Sequence, residues 1–203
     1  MKSVSPVSIC TQALLSIGDK PISSFTESND RARVCANVYP TLRDATLRAH
    51  PWNSAKKRAT LAPLADAPAF GWARQFLLPS DCLRLLQVGA HVIGVSGRPD
   101  FELEGRSVLS NLRSMPIRYI FANYNESTWD SMLVEAMVLT VAASIAYPIT
   151  KSTTLMQAKQ AELVTFYRSA RAVNGQEEPP ETLGDFPLLA LRMGVSDWPV
   201  PGR

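Results

Sequence analysis

The segment 132–147 restricts the fold of this chain more than any other, because it is apolar on every side of the helix that it predicts. Its large apolar side chains are Met132, Leu133, Val134, Met137, Val138, Leu139, Val141 and Ile145. Ser127 with Asp130 has the pattern of a capping box and Pro148 predicts the end, so we expect a helix over about 128–147. A helix without a polar face must be covered on most sides. Other elements of the chain are therefore expected to pack around it.

Three further segments have helical periodicity and are expected to supply this cover. They span about 6–17, 29–49 and 154–173. Ser5 and Pro6 are typical of a helix start, and Gly18 is typical of a helix end in the left-handed conformation. Pro40 falls inside the second segment, where it predicts a kink rather than an interruption.

Residues 52–125 lack the helical periodicity of the flanking segments. Five prolines and five glycines divide them into short pieces. Between these breakers lie β-like runs at about 75–78, 83–88, 91–95, 101–103 and 117–124. In the last run, Ile117, Tyr119 and Phe121 alternate with Arg118, Ile120 and Ala122, so one face is expected to be more buried. This segment predicts a small antiparallel sheet inserted between two helical halves.

The fold class predicted from these patterns is α+β, as a mainly α-helical bundle of about four helices with a small antiparallel β insertion. Residues 1–51 and 126–175 would form the bundle, and 52–125 the inserted β-rich region. Residues 176–203 would form an extended C-terminal arm, because they contain five prolines. The arm carries five acidic and two basic residues, a net charge of −3, against +3 for the whole chain.

The arm is too rich in large apolar residues for a solvated tail, so we expect it to dock on a partner. The residues expected to make this contact are Phe186, Leu188, Leu189, Leu191 and Trp198.

Patterns that would indicate catalysis are missing from the sequence. It has two histidines, His50 and His91, neither in a cluster with ligand spacing, and it has no glycine-rich phosphate loop. Ser54 and Lys57 match a four-residue nucleophile pattern whose other elements are absent. We expect no enzyme activity, no cofactor and no metal.

The sequence also predicts an intracellular protein that is not embedded in a membrane. The three cysteines lack metal spacing and are expected to be free thiols in a reducing compartment. The N-terminus lacks the apolar run of a signal peptide, and the apolar segment 132–147 is short for a bilayer and contains Glu135.

Lys56, Lys57 and Arg58 form the densest basic run of the chain. Two interpretations stay open for it. The run is either a solvated segment beside Trp52, or a patch that lies near phosphate groups without reading bases.

Several strings, in order, resemble the head–tail adaptor family of tailed phages, which includes the tail tubular protein A group. They cover residues 5–173 and comprise Ile9 to Leu14 with Ile17-Gly18, Tyr39-Pro40, His50-Pro51-Trp52 followed by Ala55 to Arg58, Phe76 to Arg84, and Tyr119 to Tyr124. The resemblance implies a helical bundle with an inserted β domain. It implies a ring of twelve copies that docks beneath the portal protein, meets a downstream tail or nozzle protein, and continues the DNA channel.

The same resemblance implies a location at the head–tail junction of the virion, after synthesis in the host cytoplasm, with non-specific contact to passing DNA. In a ring, the basic run would recur in every copy and line the passage. Two alternatives remain: another structural protein of the virion, such as a minor tail or head-completion protein, and a small nucleic-acid-binding protein.

Overall fold

The computed structural model describes residues 4–93 and 100–177, and these form four α-helices and seven β-strands. The helices are α1 (Pro6–Ser16), α2 (Asp30–Ala49), α3 (Ser131–Thr150) and α4 (Thr153–Glu177). The strands are β1 (Lys56–Leu61), β2 (Arg74–Leu77), β3 (Cys82–Val88), β4 (His91–Val92), β5 (Phe101–Glu104), β6 (Ser107–Ser110) and β7 (Met115–Phe121). Short 3-10 turns at Asn53–Ala55 and Glu126–Thr128 flank the strand region.

The predicted mainly α-helical bundle with a small β insertion is wrong, although the structure is consistent with the α+β class. The described part of the structure is 47% helical and 21% strand, and the strands form two antiparallel sheets rather than one. Two strands that the sequence patterns did not predict, β1 and β6, account for much of the difference. β1 contains three basic residues and β6 is flanked by Arg106 and Asn111, so neither has the apolar run that marks a buried strand.

The two sheets share a core of their own. The four-stranded sheet has the order β1-β7-β3-β4, and the three-stranded sheet has the order β2-β6-β5. Between them lie Phe76 of β2, Val108 of β6, Leu85 and Val88 of β3, and Met115, Ile117 and Tyr119 of β7. Because this cluster is buried by the sheets themselves, the strand region is a second centre of packing and not a small appendage of the helices.

The helices are positioned by local caps and by the burial of α3. Ser5 and Ser8 form a capping box at the start of α1, and Gly18 follows that helix with φ +82°, as the sequence predicts. α3 packs against both α1 and α2. Its fully buried side chains include Leu133, Met137 and Ile145. This is the cover that a helix without a polar face requires.

α3 is the one described helix that is long and apolar enough to cross a membrane by length and composition, and 56% of that stretch is buried inside the protein. Such burial is typical of a core helix.

The boundaries of α3 differ from those predicted. Asp130, not Ser127, is the N-cap, and its carboxylate accepts the backbone N–H of Leu133 at 2.8 Å. Pro148 lies inside the helix, which continues to Thr150. Proline removes the donor for the carbonyl of Ser144, but both residues are exposed. Water can therefore satisfy that carbonyl, and the helix continues.

The chain divides into two compact units, residues 1–167 and residues 168–203. The first contains both sheets, α1 to α3 and most of α4. The described part of the second is the end of α4, residues 168–177.

A buried polar cluster joins the segment after β7 to helix α2. The carboxylate of Glu126, which is 6% exposed, accepts the hydroxyl of Tyr39 at 3.2 Å and lies 3.6 Å from the guanidinium of Arg43. The same guanidinium lies 3.6 Å from the centroid of the Tyr124 ring. Burial and the Glu126 charge both raise the pKa of Tyr39 well above its usual range, so that its hydroxyl stays a donor. These contacts fix the path between the strand region and α3.

We expect Glu126→Gln to lower the free energy of unfolding by about 1–3 kcal/mol, because the largely buried Arg43 keeps Asp44 at 3.6 Å but loses the buried carboxylate of Glu126. Urea unfolding followed by circular dichroism measures the change. Glu162→Gln is the matched control, because Glu162 pairs with Lys159 at the surface with its own side chain 51% exposed, and a change within about 0.5 kcal/mol is expected there. Equal effects of the two substitutions would show that the buried cluster does not stabilise the fold.

Candidate nucleic-acid interface

The basic run begins at a rigid corner between α2 and β1. The indole N–H of Trp52 donates to the carbonyl of Thr46 at 2.9 Å, and the Trp52 ring, 2% exposed, packs edge-on against His50 with 4.5 Å between centroids. The turn Asn53–Ala55 follows, and Lys56 is the first residue of β1. β1 is an edge strand of the four-stranded sheet, so no strand of the described residues lies on one side of the run.

Strand geometry places the three basic residues on two faces, since successive side chains of a strand point in opposite directions. Lys57 is paired in register with Tyr119, on the face that carries the sheet core. Its ammonium lies 2.8 Å from a carboxylate oxygen of Asp81 and 4.2 Å from the centroid of the Phe121 ring. Lys57 is therefore committed to contacts inside its own chain.

Asp81 is held ionised by its neighbours. Partial burial raises its pKa, but the hydrogen bond from Lys57, the Lys57 charge and the hydroxyl of Tyr119 at 3.2 Å outweigh that effect and leave the pKa lowered. Burial and the charge of Asp81 raise the pKa of Tyr119 to about 12. Because the folded pKa of Asp81 is lowered, its carboxylate stabilises the fold above its ordinary pKa, and this contribution is lost as the pH falls through the folded value.

Arg58 lies on the opposite face of the sheet, in a row with two other polar residues. It pairs in register with Arg118 of β7, and Arg118 pairs in turn with Gln87 of β3. The Nε atom of Arg118 is buried and has no hydrogen-bond partner. Among the residues that the structure describes, neither arginine has an ion pair. Like charges directly opposite on adjacent strands destabilise a sheet, and no ion pair of the described residues compensates this pair.

The two arginines border an open depression of about 520 Å³, which Thr60, Gly89 and Pro116 also line. A guanidinium offers several N–H donors in a plane and binds phosphate oxygens in a fork geometry. Arg58 is exposed and Arg118 is half-buried, and two such groups side by side suit the phosphates of an anionic backbone. Lys56 starts this face but is already engaged in an interaction with its own chain.

Arg118 is the member of this surface that the basic run does not contain. Its alternation with Ile117 and Tyr119 predicts that it points away from the buried face, but nothing local shows that β1 pairs with β7. The sequence therefore contained the signal for the face of the strand on which Arg118 lies, but no signal that Arg58 is its neighbour.

The residues predicted to dock on a partner, Phe186, Leu188, Leu189, Leu191 and Trp198, lie outside the described residues, and that contact stays a prediction.

In the described ranges, no group of three or more histidine, cysteine or acidic side chains is arranged to hold a metal ion. His91 packs against Phe101 with 5.7 Å between ring centroids. Cys10 and Cys35 are buried and Cys82 is half-buried, all as free thiols.

No protein-family model matches this chain, and no curated protein matches it either.

We expect Lys57→Ala to raise the pKa of Asp81 towards its ordinary value of 3.8, because the carboxylate loses both a hydrogen-bond donor and a nearby cation. The titration of the carboxyl carbon by NMR measures the shift. Arg58→Ala is the control and should leave the Asp81 pKa unchanged, since Arg58 lies on the other face. A comparable rise with Arg58→Ala would contradict the division of the run between two faces.

Proposed function

We propose that this chain is a non-enzymatic structural subunit of a ring that joins the portal of a tailed phage to its tail and continues the DNA channel. The ordered strings over residues 5–173 that resemble the head–tail adaptor family support this proposal. In it, twelve copies dock beneath the portal protein and meet a downstream tail or nozzle protein. The ring resides at the head–tail junction of the virion, after synthesis in the host cytoplasm, and has no contact with a membrane.

The observation that carries the proposal is the pair of arginines without ion pairs in the described part of the chain. Arg58 and Arg118 lie opposite each other in register although like charges repel. A passing phosphate backbone would compensate both charges. Repetition around a ring would give a passage with many weak phosphate contacts and no base readout. Such a lining attracts DNA of any sequence and still lets it move.

We expect Arg58→Gln with Arg118→Gln to weaken binding of the assembled protein to mixed-sequence duplex DNA. The slope of log affinity against log salt should fall in magnitude by about one for each phosphate group that the variant no longer binds. Fluorescence anisotropy at several salt concentrations gives both values. Lys57→Gln is the matched control and should have a smaller effect, because Lys57 is paired with Asp81.

The stability of the same variants separates this role from a structural one. Arg58→Gln should leave the free energy of unfolding unchanged or slightly higher, because it removes a like-charge contact. Unchanged DNA affinity together with lower stability would show that the pair serves the fold, and the proposed channel lining would be wrong.

The arginine pair also favours the alternative of a small nucleic-acid-binding protein. That alternative predicts salt-dependent DNA binding by the isolated monomer. The remaining alternative, another structural protein of the virion, predicts a partner other than the portal. The oligomeric state in which DNA binds and the identity of the partner therefore separate the three.

Electron microscopy of the purified protein, alone and mixed with the portal ring of the same virion, tests the adaptor role directly. We expect rings stacked coaxially on the portal. Deletion of residues 176–203 should abolish docking and leave the circular dichroism spectrum of the remaining chain folded, since the arm is predicted to bind the portal. Monomers beside an unoccupied portal, at concentrations well above micromolar, would exclude the adaptor role. Unchanged docking by the deletion variant would exclude only the role of the arm.

A further inference from the structure

The connection between β1 and β2, residues 62–73, is exposed and almost without charge. Asp66 is its one charged residue, and most of its side chains are exposed. Phe70 is 87% exposed and Leu64 is 42% exposed. A loop of this length without secondary structure of its own commonly has a function. An apolar loop that its own chain leaves uncovered is typical of a surface that a partner covers.

This loop is held in one shape by hydrogen bonds at both ends. The backbone N–H of Leu64 donates to the carbonyl of Gln75 at 2.8 Å, and the Gln75 amide donates to the carbonyl of Asp66 at 2.9 Å. The indole N–H of Trp72 donates to Glu102 at 3.0 Å, and Gly71 turns the chain with φ +83°. The exposed Phe70 is therefore presented on an ordered support, which lowers the entropy cost of binding.

A groove of about 720 Å³ lies at the junction of α2, β3 and the β5–β6 turn. Apolar side chains line it, including Leu83, Ile93, which is 37% exposed, and Leu103, which is 48% exposed. An exposed aromatic side chain fits such a lining, since aromatic anchors in apolar pockets supply much of the binding energy of interfaces.

Three arginines, Arg48, Arg84 and Arg106, border the same groove. Arg48 donates to the carbonyl of Leu83, Arg84 to the carbonyl of Arg48 at 3.2 Å, and Arg106 to the carbonyl of Pro79. These bonds fix the guanidinium groups, but in the described part of the chain none of the three has an ion pair. The border of the groove therefore suits a carboxylate and the face of an aromatic ring.

The loop and the groove lie at opposite ends of the three-stranded sheet. At one end, Arg74 pairs with Ser110, and the loop attaches there through Trp72 and Glu102. At the other end, Leu77 pairs with Ser107, beside Gly105 and Arg106 of the groove. The strands between them span about 10 Å. The loop of a chain therefore attaches to the sheet about 10 Å from the groove of the same chain.

We propose that the 62–73 loop of one copy binds in the arginine-bordered groove of the next copy. Phe70 packs on the apolar side chains of Leu83, Ile93 and Leu103. The carboxylate of Asp66 compensates the positive charges of the bordering arginines. Such a contact is head to tail, because it joins two different surfaces, and it generates a ring when the rotation closes. Only the closure of the ring rests on the proposed adaptor function. The contact itself requires just two copies of the chain.

A disulfide trap tests the contact, because Cys82 lines the groove and is half-buried, while Cys10 and Cys35 are buried. In a Phe70→Cys variant, mild oxidation with diamide should join the new thiol to Cys82 of the next copy. Each copy then makes two different links, so a ladder of covalent multimers should appear on a non-reducing gel. Phe70→Cys with Cys82→Ser should give dimers at most. Leu15→Cys is the matched control at another exposed position, 55% exposed on α1, and should also stop at dimers.

Sedimentation velocity of a Phe70→Ser variant provides a measurement without cross-linking. The dissociation constant for self-association should rise about tenfold or more, as expected for loss of an aromatic anchor. Val164→Ser, at a side chain that is 51% exposed on α4, should leave it unchanged.

The outcomes of these experiments separate this inference from the proposed function. A ladder that depends on Cys82, with weakened association of Phe70→Ser, supports the contact whether or not rings dock on a portal. If no ladder forms and Phe70→Ser associates like the unmodified chain, the proposed contact is overturned. Rings that dock normally on the portal in the same experiments would leave the adaptor function standing.

Discussion

The absence of a polar face on α3 is the constraint on which the rest of this structure depends. A helix with fully buried Leu133, Met137 and Ile145 cannot face water, so α1 and α2 must pack on it. α3 is also the element that follows the strand region, and the cluster of Glu126, Tyr39 and Arg43 fixes its approach. The strand region has a separate core around Phe76 and Met115. Two centres of packing are thus joined by the buried polar cluster and by the bonds of Arg48 and Arg84 between α2 and β3.

The fold was predictable where a local signal decides the structure. Ser5, Pro6 and Gly18 define α1 because capping depends on neighbouring residues alone. The end of α3 was not predictable, because Pro148 is tolerated through the exposure of the carbonyl that it leaves unpaired, and exposure is a tertiary property. The division of residues 56–121 into two sheets was also out of reach. Strand pairing joins distant residues, such as Lys57 with Tyr119, and no local pattern encodes which strands meet.

The candidate interface shows the same division between local and long-range information. Composition identified Lys56, Lys57 and Arg58 as a basic run, but strand alternation sends Lys57 to Asp81 and Arg58 to the opposite face. The neighbour of Arg58, Arg118, is 60 residues away in sequence and is brought close only by the register of β1 with β7. The apolar loop at 62–73 is visible in the sequence, but its significance emerges only once Phe70 is seen to be uncovered. Charge and hydropathy can thus be read locally, whereas the identity of a surface cannot.

The position of β1 at the edge of its sheet has a consequence for the newly made protein. An edge strand presents unpaired backbone groups that can template the strand of another molecule, and the resulting assembly has no defined end. Arg58 is exposed on one face of this edge and has no ion pair among the described residues, so identical edges approaching each other would bring like charges together. A chain made in many copies inside one cell is then discouraged from stacking strand on strand. In the proposed ring, this repulsion would leave assembly to a contact between two different surfaces.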